Sequence, residues 1–198
     1  MRYHDPVSAE LFFDYASPWA FLASELVPRL LPGVTPAYAP IYLRGLEAFK
    51  SGFPYSAAKA AYLMRDLSRS AAHYGIPIRP PSVFPINGLQ ALRGAMWAQQ
   101  AGVFPAYHAA MFRAAWQQDR HVSDRATVTT IAAEIGLDAA ALGAALDDPA
   151  IKEALKASTE RAIQLGVFGV PIFKVGDELF WGADRMDFVA RALARRAP

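Results

Sequence analysis

The chain has 198 residues, of which 54% are hydrophobic and 19% are charged. This composition supports a packed core and argues against a disordered chain. The formal net charge is only +2, so charge gives no reason to expect a nucleic-acid partner. The sequence contains no cysteine, which excludes disulfides, thiolate metal sites and cysteine nucleophiles.

Neither targeting nor membrane insertion is indicated. The first segment, "MRYHDPVSAELFFDY", lacks the apolar core and the cleavage site of a signal peptide. No stretch approaches the roughly eighteen uninterrupted apolar residues of a membrane span. We therefore expect a cytoplasmic protein with no membrane partner.

The first predicted elements are a strand, a helix and a second strand. The apolar run "AELFFDY" predicts a buried strand. Apolar residues then recur at helical spacing from Pro18, and Pro32-Gly33 ends this helix. The proline-containing segment "VTPAYAPIYL" predicts an edge or irregular strand.

From Tyr55 to about Gly166 the pattern is helical, interrupted by the proline-rich and glycine-rich "GIPIRPPSVFPING". Helix starts are indicated at Ser123 or Asp124, at Asp138, and at Asp148-Pro149. The predicted helices are "SAAKAAYLMRDLSRSAAHY", "LQALRGAMWAQQA", "FPAYHAAMFRAAWQQ", "DRATVTTIAAEIG", "DAAALGAALDD" and "PAIKEALKASTERAIQLG".

Strands return after Gly169, where "VPIFKV" and "ELFW" flank a Gly176-Asp177 turn and predict a hairpin. A final helix is predicted from Asp184, with Asp187 completing a capping box. The order βαβ, helical block, ββα predicts an α/β protein with a thioredoxin-like fold and a large all-helical insertion. The thioredoxin-like domain is assigned to residues 1–50 and 167–198, and the insertion to residues 51–166.

Ser17 begins the first helix and admits two compatible interpretations. A serine before a proline at the first helical position is a favoured N-cap. A helix N-terminus also collects unpaired N–H groups that suit an anion or a thiolate. An acyl-transfer role is disfavoured, because Ser17 lacks the Gly-x-Ser-x-Gly flanks and no base is evident beside it.

The other usual chemistries have little support. The four histidines, His4, His73, His108 and His121, show neither metal-ligand spacing nor an evident base-orienting partner. "GVFGV" matches neither a dinucleotide fingerprint nor a P-loop. Val170-Pro171 precedes a strand where a thioredoxin topology commonly has a cis peptide opposite the first helix, so the Val170 backbone is a candidate partner for a peptide-like ligand.

Three segments, "FFDYASPWAFLA", "GVFGVPIF" and "LFWGADRMDF", resemble the 2-hydroxychromene-2-carboxylate isomerases and the related kappa-class glutathione transferases. These belong to the wider Dsb-type thioredoxin-fold group. The resemblance covers essentially the whole chain and includes "KAAYLMRDL", "FPINGLQALR" and "FRAAW" in the insertion. Setting "SPWA" against the Cys-Pro-x-Cys of the redox members puts Ser17 at the reactive cysteine and Ala20 at the resolving one. Disulfide exchange is thereby excluded.

The resemblance implies glutathione as the cofactor and assigns roles by position. Ser17 corresponds to the serine that hydrogen-bonds the glutathione sulfur, and Asp184 to the partner of the γ-glutamyl ammonium. The Val170 backbone would bind the cysteinyl unit. The cofactor-binding set implied in full is Ser17, Pro18, Trp19, Lys59, Val170, Pro171, Ala183, Asp184 and Arg185.

Three positions depart from the family pattern. Phe53 stands where the family often has Gly-Asn, and Ala183 replaces a polar residue before Asp-Arg. Arg44 stands where a less charged residue is commoner. Arg44, Phe53 and Asn87 are the candidate substrate-binding residues, and Arg44 with Phe53 suggests an aromatic carboxylate. Outside the resemblance, Lys59 also fits an exposed helix charge and Asn87 a turn residue beside Gly88.

The activity implied is glutathione-dependent isomerisation. Thiolate addition to a conjugated double bond leaves a single bond that can rotate, and elimination returns the thiol. In the family this interconverts 2-hydroxychromene-2-carboxylate and trans-o-hydroxybenzylidenepyruvate. Two alternatives stay open: a kappa-class-like glutathione transferase and a non-catalytic binding or chaperone protein. The resemblance also implies a homodimer and a small aromatic substrate.

Overall fold

The computed structural model describes residues 9–52 and 54–196. Its four strands form one sheet in the order β2-β1-β3-β4. The strands are β1 (Ala9–Phe13), β2 (Ala37–Pro40), β3 (Ile172–Val175) and β4 (Glu178–Trp181). β1 pairs with β2 in parallel and with β3 antiparallel, and β3 pairs antiparallel with β4. The predicted thioredoxin-like arrangement is confirmed.

The described residues contain eight α-helices. They are α1 (Pro18–Leu30), α2 (Ala57–Tyr74), α3 (Leu89–Gln100), α4 (Phe104–Trp116), α5 (Arg125–Glu134), α6 (Ala139–Ala145), α7 (Pro149–Gln164) and α8 (Met186–Ala194). The six helices predicted between β2 and β3 are all present. Short 3-10 helices span Leu43–Gly45, Glu47–Phe49 and Ala183–Arg185.

Local capping explains several helix starts. Asp124 accepts the Thr127 N–H, Asp138 accepts the Ala141 N–H, and Asp148 precedes Pro149 at the first helical position. A capping side chain satisfies one of the amides that a helix N-terminus leaves unpaired. These three starts follow the sequence prediction, with Asp124 rather than Ser123 as the cap of α5.

The sheet is covered on both faces. Leu11 and Phe13 of β1 join the larger apolar cluster, which also contains the buried face of α1. Phe12 points the other way and packs with Ile172 and with Ala162 of α7. Alternate residues of a strand face opposite sides, so the consecutive apolar residues Leu11, Phe12 and Phe13 are all buried because both faces of β1 are covered. Glu10, the one charged residue of β1, is half-buried and pairs with Arg161. The division of the chain at residues 50 and 166 stays a prediction.

The predicted capping box at the last helix is wrong. Asp184 lies inside the 3-10 helix Ala183–Arg185, and α8 begins at Met186 without a side-chain cap. The Asp184 carboxylate accepts a hydrogen bond from Arg185 instead. Since Asp184 already has helical neighbours on both sides, it is not in the extended conformation that an N-cap requires.

No helix among the residues that the structure describes combines the length and the apolar character needed to cross a bilayer.

Candidate active site

Ser17 forms the N-cap of α1, as predicted. Its backbone is extended, with φ −101° and ψ 116°, and Pro18 follows at the first helical position. The side-chain oxygen accepts the Ala20 N–H at 3.2 Å, and Ser17 is only 6% exposed. The N-cap interpretation of Ser17 is therefore confirmed.

The same hydroxyl also faces the loop before β3. Ser17 Oγ donates to the carbonyl oxygen of Val170 at 3.4 Å, across 153 positions of sequence. That distance is long for an O–H···O hydrogen bond, whose usual range ends near 3.0 Å. The Val170–Pro171 peptide bond is cis, as the topology predicted. The fold thus brings two of the predicted site residues directly together.

Two backbone donors lie at this junction. Among the first-turn amides of α1, Ala20 donates to Ser17 Oγ and Phe21 donates to Ser17 O. Within the described ranges 9–52 and 54–196, neither the Trp19 N–H nor the Val170 N–H has a hydrogen-bond acceptor. Both are therefore available to a ligand placed beside Ser17.

The 3-10 helix Ala183–Arg185 packs against α1. Ala183 is 4% exposed and its methyl group belongs to the apolar core, so only its backbone can serve a ligand. Asp184 and Arg185 are exposed and form an ion pair with each other. This places a carboxylate on the α1 side of the molecule that solvent can reach.

The candidate substrate residues surround a second junction. Arg44 is exposed in the 3-10 helix Leu43–Gly45. Asn87 is half-buried, and its side-chain oxygen accepts hydrogen bonds from the Tyr42 hydroxyl at 3.2 Å and from the Leu89 N–H at 3.2 Å. The Asn87 oxygen thus holds local structure, while the side-chain amide nitrogen makes no hydrogen bond to the residues that the structure describes and keeps its two donors.

Other predicted residues are less closely connected to Ser17. Trp19 is partly buried and packs against the core. Lys59 is exposed, with its ammonium 4.6 Å from the centre of the Tyr55 ring. In the described part of the chain no hydrogen bond joins Lys59 to the Ser17 junction. Phe53 lies outside the described residues.

One residue that the sequence analysis did not single out belongs to the site. Asp14 is 1% exposed and lies three positions before Ser17. Its carboxylate accepts the Ala16 N–H at 2.9 Å and the Leu43 N–H at 2.8 Å. Burial raises the pKa of Asp14 to about 6, although the two amides and the nearby Arg44 charge act in the opposite direction.

A second missed cluster lies further along α1. His108 is buried, with Nε2 3.1 Å from Ser24 Oγ and Nδ1 3.3 Å from the Tyr15 hydroxyl. These partners lie 84 and 93 positions away in the sequence, so no local pattern indicates them. Phe13 and Phe104 are among the rings that enclose it. Burial lowers the pKa of His108 to about 3, so this imidazole stays neutral at physiological pH and is a poor base.

The comparisons with known proteins agree with this architecture. Residues 9–194 match the family model described as DSBA-like thioredoxin domain. The chain belongs to that family. It is 30% identical over 186 residues to a 2-hydroxychromene-2-carboxylate isomerase of Sphingobium xenophagum, covering 91% of this chain and 94% of that protein.

Two further relatives extend the comparison. A solved structure of a 2-hydroxychromene-2-carboxylate isomerase is 28% identical and superposes with a TM-score of 0.83, covering 94% of both chains. Human glutathione S-transferase kappa 1 is 24% identical over 209 residues, covering 96% of this chain and 92% of that protein. The predicted resemblance to the 2-hydroxychromene-2-carboxylate isomerases and the kappa-class glutathione transferases is confirmed.

Proposed function

We propose that this DSBA-like protein is a glutathione-dependent cis–trans isomerase of an aromatic conjugated keto acid, of the 2-hydroxychromene-2-carboxylate to trans-o-hydroxybenzylidenepyruvate type. The observation that carries the proposal is the Ser17 hydroxyl. It stands at the N-terminus of α1, facing the Val170 backbone, in a chain without cysteine. The names of the relatives support an isomerase or a glutathione transferase-like enzyme.

The residues present fit glutathione in three respects. The Ser17–Val170 hydrogen bond is long at 3.4 Å, so turning the hydroxyl toward a sulfur sacrifices little. The Trp19 and Val170 N–H groups, without acceptors in the described ranges, suit a sulfur and a peptide carbonyl. The exposed Asp184 carboxylate suits the ammonium of a γ-glutamyl group.

Glutathione would supply a thiolate that adds to and leaves the conjugated double bond, which becomes a single bond in between. The chain's own contribution is to stabilise that anion. Ser17 donates a hydrogen bond, and the α1 N-terminus adds up to about 2 kcal/mol of favourable potential. Because one pKa unit corresponds to about 1.4 kcal/mol, the thiol pKa falls by roughly one to two units.

The substrate side is proposed at Arg44 and Asn87. Arg44 is exposed and follows Leu43, whose N–H donates to Asp14. The Arg44 guanidinium suits the carboxylate of a substrate. The Asn87 amide nitrogen retains donors for a carbonyl or carboxylate oxygen. An aromatic keto acid carries both kinds of oxygen. Phe53, outside the described residues, stays a prediction as a third substrate residue.

A glutathione transferase is the second candidate, favoured by the likeness to the kappa 1 transferase. Such an enzyme would use the same thiolate site and release the adduct instead of reversing it. The two activities differ in what happens to glutathione, which is conserved by an isomerase and consumed by a transferase.

Product analysis distinguishes these functions. The protein is incubated with 2-hydroxychromene-2-carboxylate and millimolar glutathione, and products are separated by chromatography. The proposal predicts approach to an isomer equilibrium with total free glutathione unchanged. A stable glutathione conjugate would instead identify a transferase. Absence of turnover, together with no thermal stabilisation by glutathione, would indicate the non-catalytic alternative, because a ligand of the native state must stabilise it.

A further inference from the structure

Asp14 is a buried ionisable group that the proposed chemistry leaves unused. Its two carboxylate oxygens bond different parts of the chain. Oδ1 accepts the Ala16 N–H in the turn before α1, and Oδ2 accepts the Leu43 N–H, which is 29 positions away. Both bonds are of ordinary length, at 2.9 and 2.8 Å. One carboxylate therefore joins the turn that carries Ser17 to the 3-10 helix that carries Arg44.

The backbone of Asp14 takes part in the same turn. Its carbonyl oxygen accepts the Ser17 N–H at 3.0 Å. Displacement of Asp14 would therefore move both the residue before Ser17 and Ser17 itself. The Ser17 hydroxyl has to meet a sulfur within hydrogen-bond distance, and such geometry tolerates little displacement.

A third segment, the turn at Gly88 before α3, packs against the Asp14 carboxylate. A Cβ atom built at Gly88 would lie 2.1 Å from Asp14 Oδ1, so glycine leaves just enough room for the carboxylate. Gly88 directly follows Asn87, a candidate substrate residue. The Ser17 turn, the Arg44 segment and the Asn87–Gly88 turn thus meet at one carboxylate.

We propose that Asp14 is a positioning residue, which sets the Ser17 hydroxyl at a fixed place relative to the substrate side marked by Arg44 and Asn87. The inference rests on the proposed function for the roles of those three residues. Asp14 itself is buried, so it acts through the Ala16 and Leu43 amides and not by contact with a reacting atom.

The chemistry of the group supports a requirement for a carboxylate. A carboxylate accepts hydrogen bonds on both oxygens, whereas an asparagine side chain accepts on one and presents N–H donors on the other. Burial disfavours the ionised form of Asp14 on balance. The charged and titratable groups that act on it or respond to it are Arg44 and Tyr15. Each oxygen of Asp14 faces a backbone N–H, so an asparagine would set N–H against N–H at one of the two amides, and only a carboxylate holds both.

Two variants perturb the junction in independent ways. Asp14→Asn keeps the size of the side chain and removes one acceptor. Gly88→Ala keeps the carboxylate and places a methyl group against it, at a residue whose φ of −69° and ψ of −4° suit alanine. Tyr107→Phe is the matched control, because it removes another buried hydrogen bond, from Tyr107 to Ala91 O at 2.9 Å.

Amide hydrogen exchange is the first readout and needs no substrate. Protection of an amide reports the hydrogen bond that it makes. In Asp14→Asn we expect exchange of the Ala16 or the Leu43 amide to accelerate at least about tenfold, with the amides of α5 unchanged. Unchanged protection of both amides would overturn the proposal.

Kinetics are the second readout. A misplaced catalytic group costs on the order of tenfold to a hundredfold in rate, so both variants should lose that much in kcat while the glutathione Kd stays within about threefold. Tyr107→Phe should keep wild-type kcat. Normal kcat in Asp14→Asn, despite faster exchange, would reduce Asp14 to a structural role.

The two hypotheses fail separately. If the wild-type protein does not isomerise the substrate, the proposed function fails and the positioning claim is decided by amide exchange. In that case the measurement that decides the positioning claim is the exchange rate of the Ser17 amide in Asp14→Asn. Faster exchange at Ser17 together with Leu43 supports positioning of the turn, and an unchanged Ser17 amide contradicts it.

Discussion

Ser17, the N-cap of α1, and Ser24 within α1 have very different surroundings. Ser17 stands at the helix N-terminus with a long bond to a backbone carbonyl, and Ser24 lies seven positions later, bonded to His108. Only Ser24 has the histidine partner that is usually sought beside a reactive serine. Burial lowers the pKa of that histidine to about 3, so it is neutral at neutral pH and a poor base.

The contrast teaches that a serine–histidine contact does not by itself mark a reactive site. Around His108 the hydrogen bonds are complete, since both ring nitrogens have partners and aromatic rings enclose them. At Ser17 the hydroxyl donates only a long bond to Val170 O, and the Trp19 and Val170 N–H groups nearby have no acceptor among residues 9–52 and 54–196. The first arrangement stabilises a fold, and the second suits a ligand.

The largest effect is expected from Ser17→Ala. Removing one preorganised donor to a developing or bound anion typically costs on the order of a hundredfold in kcat. The stability cost should be that of an N-cap, about 1 kcal/mol. Steady-state kinetics at saturating glutathione and urea unfolding of the same variant check both values. A wild-type kcat in Ser17→Ala would show that Ser17, like Ser24, has no catalytic role.

The pH dependence of unfolding sharpens the comparison through Asp14 and His108. The pKa of Asp14 is raised to about 6 in the folded protein, so protonation of Asp14 stabilises the fold at low pH. This contribution to the unfolding free energy is lost as the pH rises from about 4 to 6. The lowered pKa of His108, about 3, gives stability that is complete above the unfolded value near 6.5 and is lost as pH falls toward 3. Between pH 4 and 6 the two contributions oppose each other.

Single variants should expose each contribution. From pH 4 to 6, Asp14→Asn should gain about 2 to 3 kcal/mol in unfolding free energy relative to wild type. His108→Gln should lose a similar amount over the same interval. Urea unfolding at both pH values measures these differences. Parallel pH profiles for wild type and both variants would contradict the assigned protonation states.

Ser24→Ala is expected to affect stability alone. It leaves the buried Nε2 of His108 without its partner at 3.1 Å, which costs about 1 to 2 kcal/mol. Since Ser24 has no part in the proposed chemistry, kcat and the glutathione KM should stay at wild-type values. A kcat loss comparable with that of Ser17→Ala would mean that the His108 cluster takes part in turnover.

The smallest effect is predicted at Asp184. Its exposed carboxylate is the proposed partner of the glutathione ammonium, and a charge-assisted hydrogen bond contributes about 1.5 kcal/mol or more. Asp184→Asn should therefore raise the glutathione KM about tenfold, with kcat at saturation unchanged. Arg185→Gln, which alters the neighbouring charge, is the control. Equal KM changes in both variants would argue against a specific ammonium contact.

Whether the sequence predicts a given contact depends on how many positions separate the two residues along the chain. The caps at Asp124 and Asp148 involve bonds two or three positions along the chain, so local pattern finds them. Ser24 and His108 are 84 positions apart, and no local signal connects them. Asp184 was expected to cap α8, but its pairing with Arg185 and its 3-10 backbone override that signal.

The site shows the same division. Ser17 is predicted from the local Ser-Pro helix start and from the family resemblance, and Val170 because a thioredoxin topology sets the first helix opposite the loop before β3. Asp14 was missed because a short acidic residue at the end of an apolar strand has no pattern that marks burial. Its role becomes visible only when Leu43 and Gly88, distant in sequence, are brought against it.

The central claim is that the Ser17 end of α1 stabilises a thiolate brought by glutathione. Ultraviolet titration of the thiol in the glutathione complex tests it most directly, in wild type, Ser17→Ala and Ser24→Ala. We predict a thiol pKa roughly one to two units below the usual value near 8.5 in wild type and Ser24→Ala. In Ser17→Ala the thiol pKa should rise most of the way back to that usual value. An unshifted wild-type pKa, or the same shift in Ser17→Ala, would contradict the account.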